Sequence, residues 1–262
     1  MAKIALAQFE SIMNDVEANM NKMVSMIRRA ASEKADIIVF PELFSTGYNL
    51  DLIGDGIYDM AEDPSGPVIS AACAEAASGE IYVVAPVAYR DSGLIYNSAV
   101  VIDDRGRIAN VYHKNNLWDR EKQYFGYGSH DYRVYETPFA RFGVIICYDV
   151  DFPETSRALA KAGAQIIFVP AAWAVTHRSL WDIFLPSRAL ENTVFIAGVN
   201  RTGTEGEEIY FGDSKVFDPT GTLVASAGEG NDELLVCDLD ITSIDKIRED
   251  FPYLRELRRD YP

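Results

Sequence analysis

Apolar runs and amphipathic stretches alternate along most of this chain. Short runs rich in Val, Ile, Phe and Ala, bounded by polar or turn residues, predict buried β-strands. The predicted strands are 4–8, 37–40, 81–85, 98–102, 142–146, 166–169, 194–199 and 234–237. Between several of them the spacing of apolar residues changes from that of a strand to that of a helix.

The clearest predicted helix follows the first strand. Its apolar residues recur every three or four positions and form one stripe, which consists of Val16, Met20, Met23, Val24, Ile27 and Ala31. Further helices are predicted to begin near Pro67, at Pro153 and near Leu180. Strands that alternate with helices predict an α/β fold. The close succession of strands between residues 81 and 112 indicates antiparallel neighbours, so we expect the sheet to be mixed.

Two segments of the chain resemble each other weakly. Residues 35–42 read ADIIVFPE and residues 164–171 read AQIIFVPA, and each segment follows a strand and a helix. Two such β-α-β units would stack as two sheets whose strand ends share one edge. Active sites of α/β folds collect at the carboxyl ends of strands, which is where Glu42, Cys147 and Trp173 fall.

Size and composition set further limits. The 262 residues are 48% hydrophobic and contain no Ser/Gly tract or charge block that would separate two cores, so we expect one domain over residues 1–262. The formal net charge of −16 would repel nucleic acid over most of the surface. The amino-terminal apolar stretch is too short for a secretory signal, and no later window is long enough to cross a bilayer. We therefore expect a cytoplasmic protein with no nucleic-acid or membrane partner.

The few cysteines and histidines do not indicate a disulfide framework or a metal site. Cys73, Cys147 and Cys237 are odd in number and far apart, which is typical of reduced thiols. They form no zinc-ligand spacing with the three histidines. Neither a phosphate-binding Walker sequence nor a full dinucleotide fingerprint is present. We therefore predict neither a metal nor an organic cofactor.

Four side chains are candidates for chemistry. Cys147 ends an apolar strand and precedes Pro153, so its thiol lies on a strand-to-helix bend where free N–H groups can face a reacting atom. Glu42 directly follows a strand and is a candidate proton acceptor, and Lys114 is a candidate cation for an oxyanion. Glu121 lies in a charge-rich turn. Taken singly, each of these residues also fits an ordinary structural role.

Together with their neighbours, these residues resemble the nitrilase superfamily of carbon-nitrogen hydrolases. The resemblance runs from Ile4 almost to the carboxyl terminus. The matching stretches are 40–44 (FPELF), 47–48 (GY), 96–98 (YNS), 112–117 (YHKNNL), Glu121, Phe125, Gly128, 143–149 (GVIICYD), 152–154 (FPE), Arg157, 170–173 (PAAW), 188–192 (RALEN), 200–201 (NR) and 212–214 (GDS).

The resemblance implies both a fold and a site. The expected fold is a four-layer α-β-β-α sandwich with two mixed β-sheets, in a homodimer or a larger homo-oligomer. The expected site is a triad of Glu42, Lys114 and Cys147, braced by Glu121.

A triad of this kind can hydrolyse an amide through a thioester, which divides one difficult step into two easier ones. Glu42 would accept the thiol proton, while Lys114 and the backbone N–H of Tyr148 would hold the oxyanion. Four residues just past strand ends are predicted to bind the substrate, namely Tyr48, Tyr148, Ala172 and Trp173.

The chain departs from the family pattern at three places, and two of these departures bear on the substrate. Relatives that recognise acidic ω-amides commonly carry arginine where this chain has Asp151, so a carboxylated substrate would meet repulsion here. Nitrilases tend to place Trp-Glu after the cysteine, where this chain has Tyr148-Asp149. Asn116 replaces a usual histidine outside the triad.

The sequence thus favours a cysteine-dependent amidase that converts a small neutral or cationic carboxamide into the acid and ammonia. A nitrilase acting through a thioimidate, an N-carbamoyl-amine hydrolase and an acyl transferase are the alternatives of the same class. A catalytically inactive assembly protein of the same fold is the alternative from another class.

Overall fold

The computed structural model describes residues 1–258, and two six-stranded sheets dominate it. The strands are β1 (Ala2–Gln8), β2 (Ile37–Val39), β3 (Tyr82–Asp91), β4 (Leu94–Ile102), β5 (Ile108–His113), β6 (Val134–Glu136), β7 (Arg141–Val144), β8 (Ile166–Ala171), β9 (Phe195–Asn200), β10 (Thr202–Glu205), β11 (Glu208–Phe211), β12 (Lys215–Phe217), β13 (Leu223–Ser226) and β14 (Glu233–Leu239). The helices are α1 (Val16–Ser32), α2 (Leu50–Ile53), α3 (Gly56–Asp59), α4 (Pro67–Gly79), α5 (Glu121–Tyr124), α6 (Pro153–Lys161), α7 (Arg178–Asn192), α8 (Ser243–Asp250) and α9 (Tyr253–Glu256).

The two sheets repeat the same strand pattern. The first sheet has the order β14-β1-β2-β3-β4-β5, and the second has the order β6-β7-β8-β9-β12-β13. In each sheet three parallel strands lie at the centre, β1-β2-β3 and β7-β8-β9, and antiparallel strands flank them. Both sheets are therefore mixed, as predicted, and the echo between residues 35–42 and 164–171 reflects two equivalent β-α-β units.

The sheets lie face to face, with helices on their outer surfaces. Along β1, Ile4 and Leu6 pack into the core cluster that also holds Phe142 and Phe168 of the second sheet. Ala5 and Ala7 face the other way and pack instead against α1 and α4. Helices α6 and α7 cover the second sheet in the same way. The architecture is the four-layer α-β-β-α sandwich that the resemblance implied, and it explains why the central strands are apolar on both faces.

All eight predicted strands and all four predicted helices are present, with shifted ends. Helix α1 begins after Asp15, whose side chain accepts a hydrogen bond from the Ala18 N–H at 3.0 Å. The strand predicted over 142–146 was too long, because the ladder ends at Val144. The N–H of Ile146 donates instead to the Asp149 side chain, at 3.0 Å. Strand β5 was predicted only as part of the close succession of strands between residues 81 and 112, and strands β6, β10, β11, β12 and β13 were not predicted.

Within residues 1–258 no helix is long and apolar enough to span a membrane.

Candidate active site

The ends of strands from both sheets surround one cavity of about 670 Å³. Glu42 lies three residues after β2, Lys114 directly after β5, and Cys147 three residues after β7. Glu121 begins the short helix α5. The structure thus brings together the four residues that the sequence placed in the site, although they are far apart along the chain.

Cys147 has an unusual backbone conformation. Its φ angle is +45°, in the left-handed region that residues with a side chain seldom adopt. The residue begins a single 3₁₀ turn, Cys147–Asp151, that connects β7 to α6. Strain of this kind persists where surrounding contacts hold it, and it is frequent at functional sites.

The carboxylate of Asp149 holds this turn in place. Its Oδ2 atom accepts hydrogen bonds from the Tyr112 hydroxyl at 2.7 Å and from the Ile146 N–H at 3.0 Å. Its Oδ1 atom accepts two more, from the backbone N–H and the side-chain amide of Asn116, both at 2.9 Å. Asn116, which departs from the family pattern, therefore supports the turn that carries the thiol.

Lys114 is fully buried between two glutamates. Its ammonium donates to Glu42 Oε1 and to Glu121 Oε1, each at 2.7 Å. Burial on its own would lower the pKa of Lys114, but the charges of Glu121 and Glu42 outweigh it and raise that pKa. These two carboxylates take up two of the three hydrogens of the ammonium.

Asn97 joins the same network and was missed as a site residue. Its amide nitrogen donates to Glu42 Oε1 at 2.7 Å and lies 3.3 Å from Glu121 Oε1. The two carboxylates can only accept, so the NH₂ group must face them. Its Oδ1 atom is buried without a hydrogen-bond partner among the residues that the structure describes. The matching stretch 96–98 contains this residue. Asn97 does not follow the end of a predicted strand, so its position in the sequence did not indicate a role in the site.

The thiol of Cys147 is buried and protonated in the resting site. Burial is the largest cause that raises its pKa well above the usual value, and the charge of Glu42 and its hydrogen bond with the thiol raise it further. The ammonium of Lys114 acts in the opposite direction. Ionisation of this thiol at neutral pH would therefore need a base, and Glu42 is a carboxylate that contacts it.

The four predicted substrate-binding residues all line the cavity. The Tyr48 hydroxyl donates to Glu121 Oε1 at 2.8 Å. The Ala172 backbone N–H donates to Glu42 Oε2 at 2.9 Å, so this residue orients the carboxylate as well as lining the wall. The backbone N–H of Trp173 donates to Asn200 Oδ1 at 2.8 Å, which holds this residue in place. Tyr148 packs edge-on against Trp118, with ring centroids 4.8 Å apart.

A further wall of the cavity comes from the hairpin β10–β11, which was not predicted. Gly206, Glu207, Glu208 and Tyr210 of this hairpin line the cavity. Next to its turn the buried Glu205 accepts hydrogen bonds from the Tyr48 and Asn49 N–H groups, at 2.9 and 2.7 Å, and pairs with the buried Arg201. The alternation of charged and small residues here carried no strand signal.

No group of three or more His, Cys, Asp or Glu side chains within the described residues is arranged to hold a metal ion.

Comparisons with known proteins find one family model and several relatives that match most of the chain. A family model described as carbon-nitrogen hydrolase matches residues 3–249. A nitrilase of Pyrococcus abyssi is 34% identical over 242 residues, which are 92% of this chain and 90% of that protein. A 2-oxoglutaramate amidase of Bacillus subtilis is 29% identical over 260 residues, or 98% of both chains.

Among solved structures, a double mutant of an amidase from Nesterenkonia sp. AN1 in complex with acrylamide superposes with a TM-score of 0.86. It is 29% identical and the match covers 98% of this chain and 94% of that one.

Proposed function

This chain belongs to the carbon-nitrogen hydrolase family of the nitrilase superfamily, and from that premise we propose that it is a cysteine-dependent amidase. The proposed reaction converts a small carboxamide into the carboxylic acid and ammonia through a thioester on Cys147. The family acts on non-peptide carbon-nitrogen bonds. Glu42, Lys114, Glu121 and Cys147 are the proposed catalytic residues.

One observation carries this proposal. A protonated thiol on the wall of the cavity lies beside a buried carboxylate and a buried ammonium, and a second glutamate braces the ammonium. These are the groups that amide hydrolysis needs, namely a nucleophile, a group that carries its proton and a donor for the carbonyl oxygen.

In the first step the thiol attacks the amide carbon. Glu42 takes the thiol proton while the sulfur-carbon bond forms, and the carbonyl electron pair moves to oxygen. The third hydrogen of the Lys114 ammonium and the Tyr148 N–H stabilise the oxyanion. Loss of one donor of this type raises a barrier by about 2.7 to 4 kcal/mol.

In the second step the tetrahedral intermediate collapses. The electron pair on oxygen restores the carbonyl, the carbon-nitrogen bond breaks, and protonated Glu42 gives its proton to the nitrogen, which leaves as ammonia. The acyl group now forms a thioester with Cys147.

Water then completes the cycle. Glu42 takes a proton from water, whose oxygen attacks the thioester carbon, and the second intermediate expels the sulfur. The thiolate regains the proton from Glu42, and the carboxylic acid leaves. Glu121 takes no proton in this scheme, since it holds the Lys114 ammonium and the Tyr48 hydroxyl.

The proposal is tested by ammonia release from a panel of small amides. The wild-type enzyme should release ammonia, and Cys147→Ala should lower kcat by on the order of 10⁴-fold or more. Cys73→Ala is the matched control, since that thiol is half-buried and lies outside the cavity, and it should keep wild-type activity. Activity that survives Cys147→Ala would overturn the proposal.

Nitriles paired with the same amides test the alternative chemistry, because the P. abyssi relative is named a nitrilase. The presence of Tyr148-Asp149 after the cysteine supports faster hydrolysis of the amide. Acid formed faster from the nitrile than from the amide would reverse this order and make the enzyme a nitrilase.

A further inference from the structure

Asp151 is a charged wall residue of the cavity that the proposed mechanism does not use. It ends the 3₁₀ turn that begins with Cys147, and both residues line the cavity. Its Oδ1 atom is buried and has no hydrogen-bond partner within residues 1–258. A buried carboxylate oxygen without a donor is costly, so its presence asks for an explanation.

The protein itself compensates this carboxylate only in part. The charge of Arg188 acts on this carboxylate, but its hydrogen bonds go to the backbone oxygens of Val150 and Asp151, both at 2.8 Å, and to Glu191 at 3.1 Å. Burial raises the pKa of Asp151 to about 6, although the charges of Arg188 and Lys114 act to lower it and Asp149 acts to raise it. At neutral pH the side chain therefore carries a charge that no ion pair offsets in the described part of the chain.

The rest of the cavity wall has the same sign. Its other carboxylates are those of Asp51, Asp119, Glu121, Glu207 and Glu208, and its basic side chains are Arg120 and His177. Arg120 is already engaged, because it lies 2.8 Å from Asp51. Trp118 and Tyr148 add aromatic rings, whose faces attract cations.

We infer that the cavity selects amides whose remote end carries an ammonium group, and that Asp151 is the residue that determines this specificity. The acyl carbon lies at Cys147 and the ammonium pairs with the carboxylate of Asp151 on the cavity wall. An amide with a carboxylate at that end is excluded by repulsion. This inference rests on the proposed amidase function and adds the substrate class to it.

The first test compares three substrates of similar length on the wild-type enzyme. They are δ-aminovaleramide, hexanamide, in which a methyl group replaces the ammonium, and the monoamide of glutaric acid. We expect kcat/KM to be at least about tenfold higher for δ-aminovaleramide than for hexanamide, and lowest for the glutaric monoamide. Hexanamide leaves water more easily, so a preference for the ammonium cannot come from hydrophobicity.

The second test assigns the preference to Asp151. Asp151→Asn should reduce the ratio of the δ-aminovaleramide and hexanamide kcat/KM values to near one, while hexanamide turnover stays measurable. Asp59→Asn removes the same charge from an exposed position outside the cavity and should leave the ratio unchanged. If Asp151→Asn does not fold, the wild type still decides, since pentylammonium should inhibit hexanamide hydrolysis at lower concentration than pentanol does.

The outcomes separate this inference from the proposed function. Hydrolysis of hexanamide at the same rate as δ-aminovaleramide, or a preference that survives Asp151→Asn, would overturn the inference and leave the amidase intact. Release of no ammonia from any amide would overturn the proposed function itself.

Discussion

Asn97 lies between the two glutamates that hold Lys114, and its role can be separated from theirs. Its NH₂ group donates to Glu42, while both carboxylates also accept from the ammonium. A hydrogen bond to a charged group contributes about 1.5 to 3 kcal/mol, so Asn97→Ala should lower kcat/KM by about tenfold to a hundredfold.

The matched variant Asn97→Asp keeps the shape but replaces the donor with an acceptor. A third carboxylate beside Glu42 and Glu121 should lower kcat/KM more than the alanine does, because like charges disfavour one another. Steady-state kinetics of both variants with one amide make the comparison. Wild-type activity in Asn97→Asp would show that donation by Asn97 is irrelevant.

Asp151 also predicts a pH-dependent stability. Its pKa is raised by burial from 3.8 to about 6, so folding opposes ionisation of this group. The ionised group lowers the free energy of unfolding. This effect is complete well above pH 6, and it disappears as the pH falls below the pKa of Asp151 in the unfolded chain. Asp151→Asn should therefore raise Tm relative to wild type at pH 8, and the difference should shrink towards pH 4. A wild type that is the more stable protein at pH 8 would contradict the account of an uncompensated carboxylate.

Among the residues of the site, the sequence predicted those that carry reactive groups. Cys147, Glu42, Lys114 and Glu121 occupy motif positions whose chemistry can be recognised. Asn97, Asp149 and Glu205 act by geometry, since each satisfies donors or acceptors that only the folded chain brings near. The pattern of apolar residues does not indicate which asparagine side chain will lie beside two carboxylates that are distant in the sequence.

At the level of elements, the hairpin β10–β11 positions one wall of the cavity. Glu205 holds the N–H groups of Tyr48 and Asn49, and Arg201 stacks on Tyr210, 4.4 Å from the ring centroid. Glu205→Gln leaves the buried Arg201 charge unpaired, and breaking a buried pair costs about 3 to 5 kcal/mol. Denaturant unfolding should show this loss, and KM should rise because Tyr48 lines the cavity.

Glu208→Gln is the control for this prediction. Glu208 lies opposite Glu205 across the same hairpin but is exposed and has no buried partner to lose, so its neutralisation should not change the unfolding free energy appreciably. If Glu205→Gln and Glu208→Gln changed the unfolding free energy equally, Glu205 would contribute no more to stability than a surface charge does.

The elements that could be predicted from the sequence are those with a strong apolar pattern. The central strands β1, β2, β7 and β8 are buried on both faces and read as continuous apolar runs. Strand β13 and the hairpin strand β11 are largely exposed or short, so pairing with a neighbour rather than burial defines them. The bend after Val144 was also hidden, since Ile145 and Ile146 stay buried after leaving the ladder.

For the whole molecule, the net charge of −16 bears on substrate capture. A negative surface concentrates cations near the cavity, and salt screens this attraction over about 10 Å at 0.1 M. We expect kcat/KM for δ-aminovaleramide to fall as NaCl is added, while the value for hexanamide changes little. Equal salt dependence of the two substrates would show that the surface charge plays no part.

The homodimer or larger assembly implied by the resemblance stays a prediction, which light scattering in solution tests.

The central claim is that an amide carbon becomes bonded to the sulfur of Cys147. Acid quenching during turnover of a simple amide, followed by peptide mass spectrometry, tests this bond directly. We predict an added acyl mass on the peptide that contains Cys147 and none on the peptides with Cys73 or Cys237. An acyl group found on another residue, or undiminished turnover by Cys147→Ser, would contradict the account.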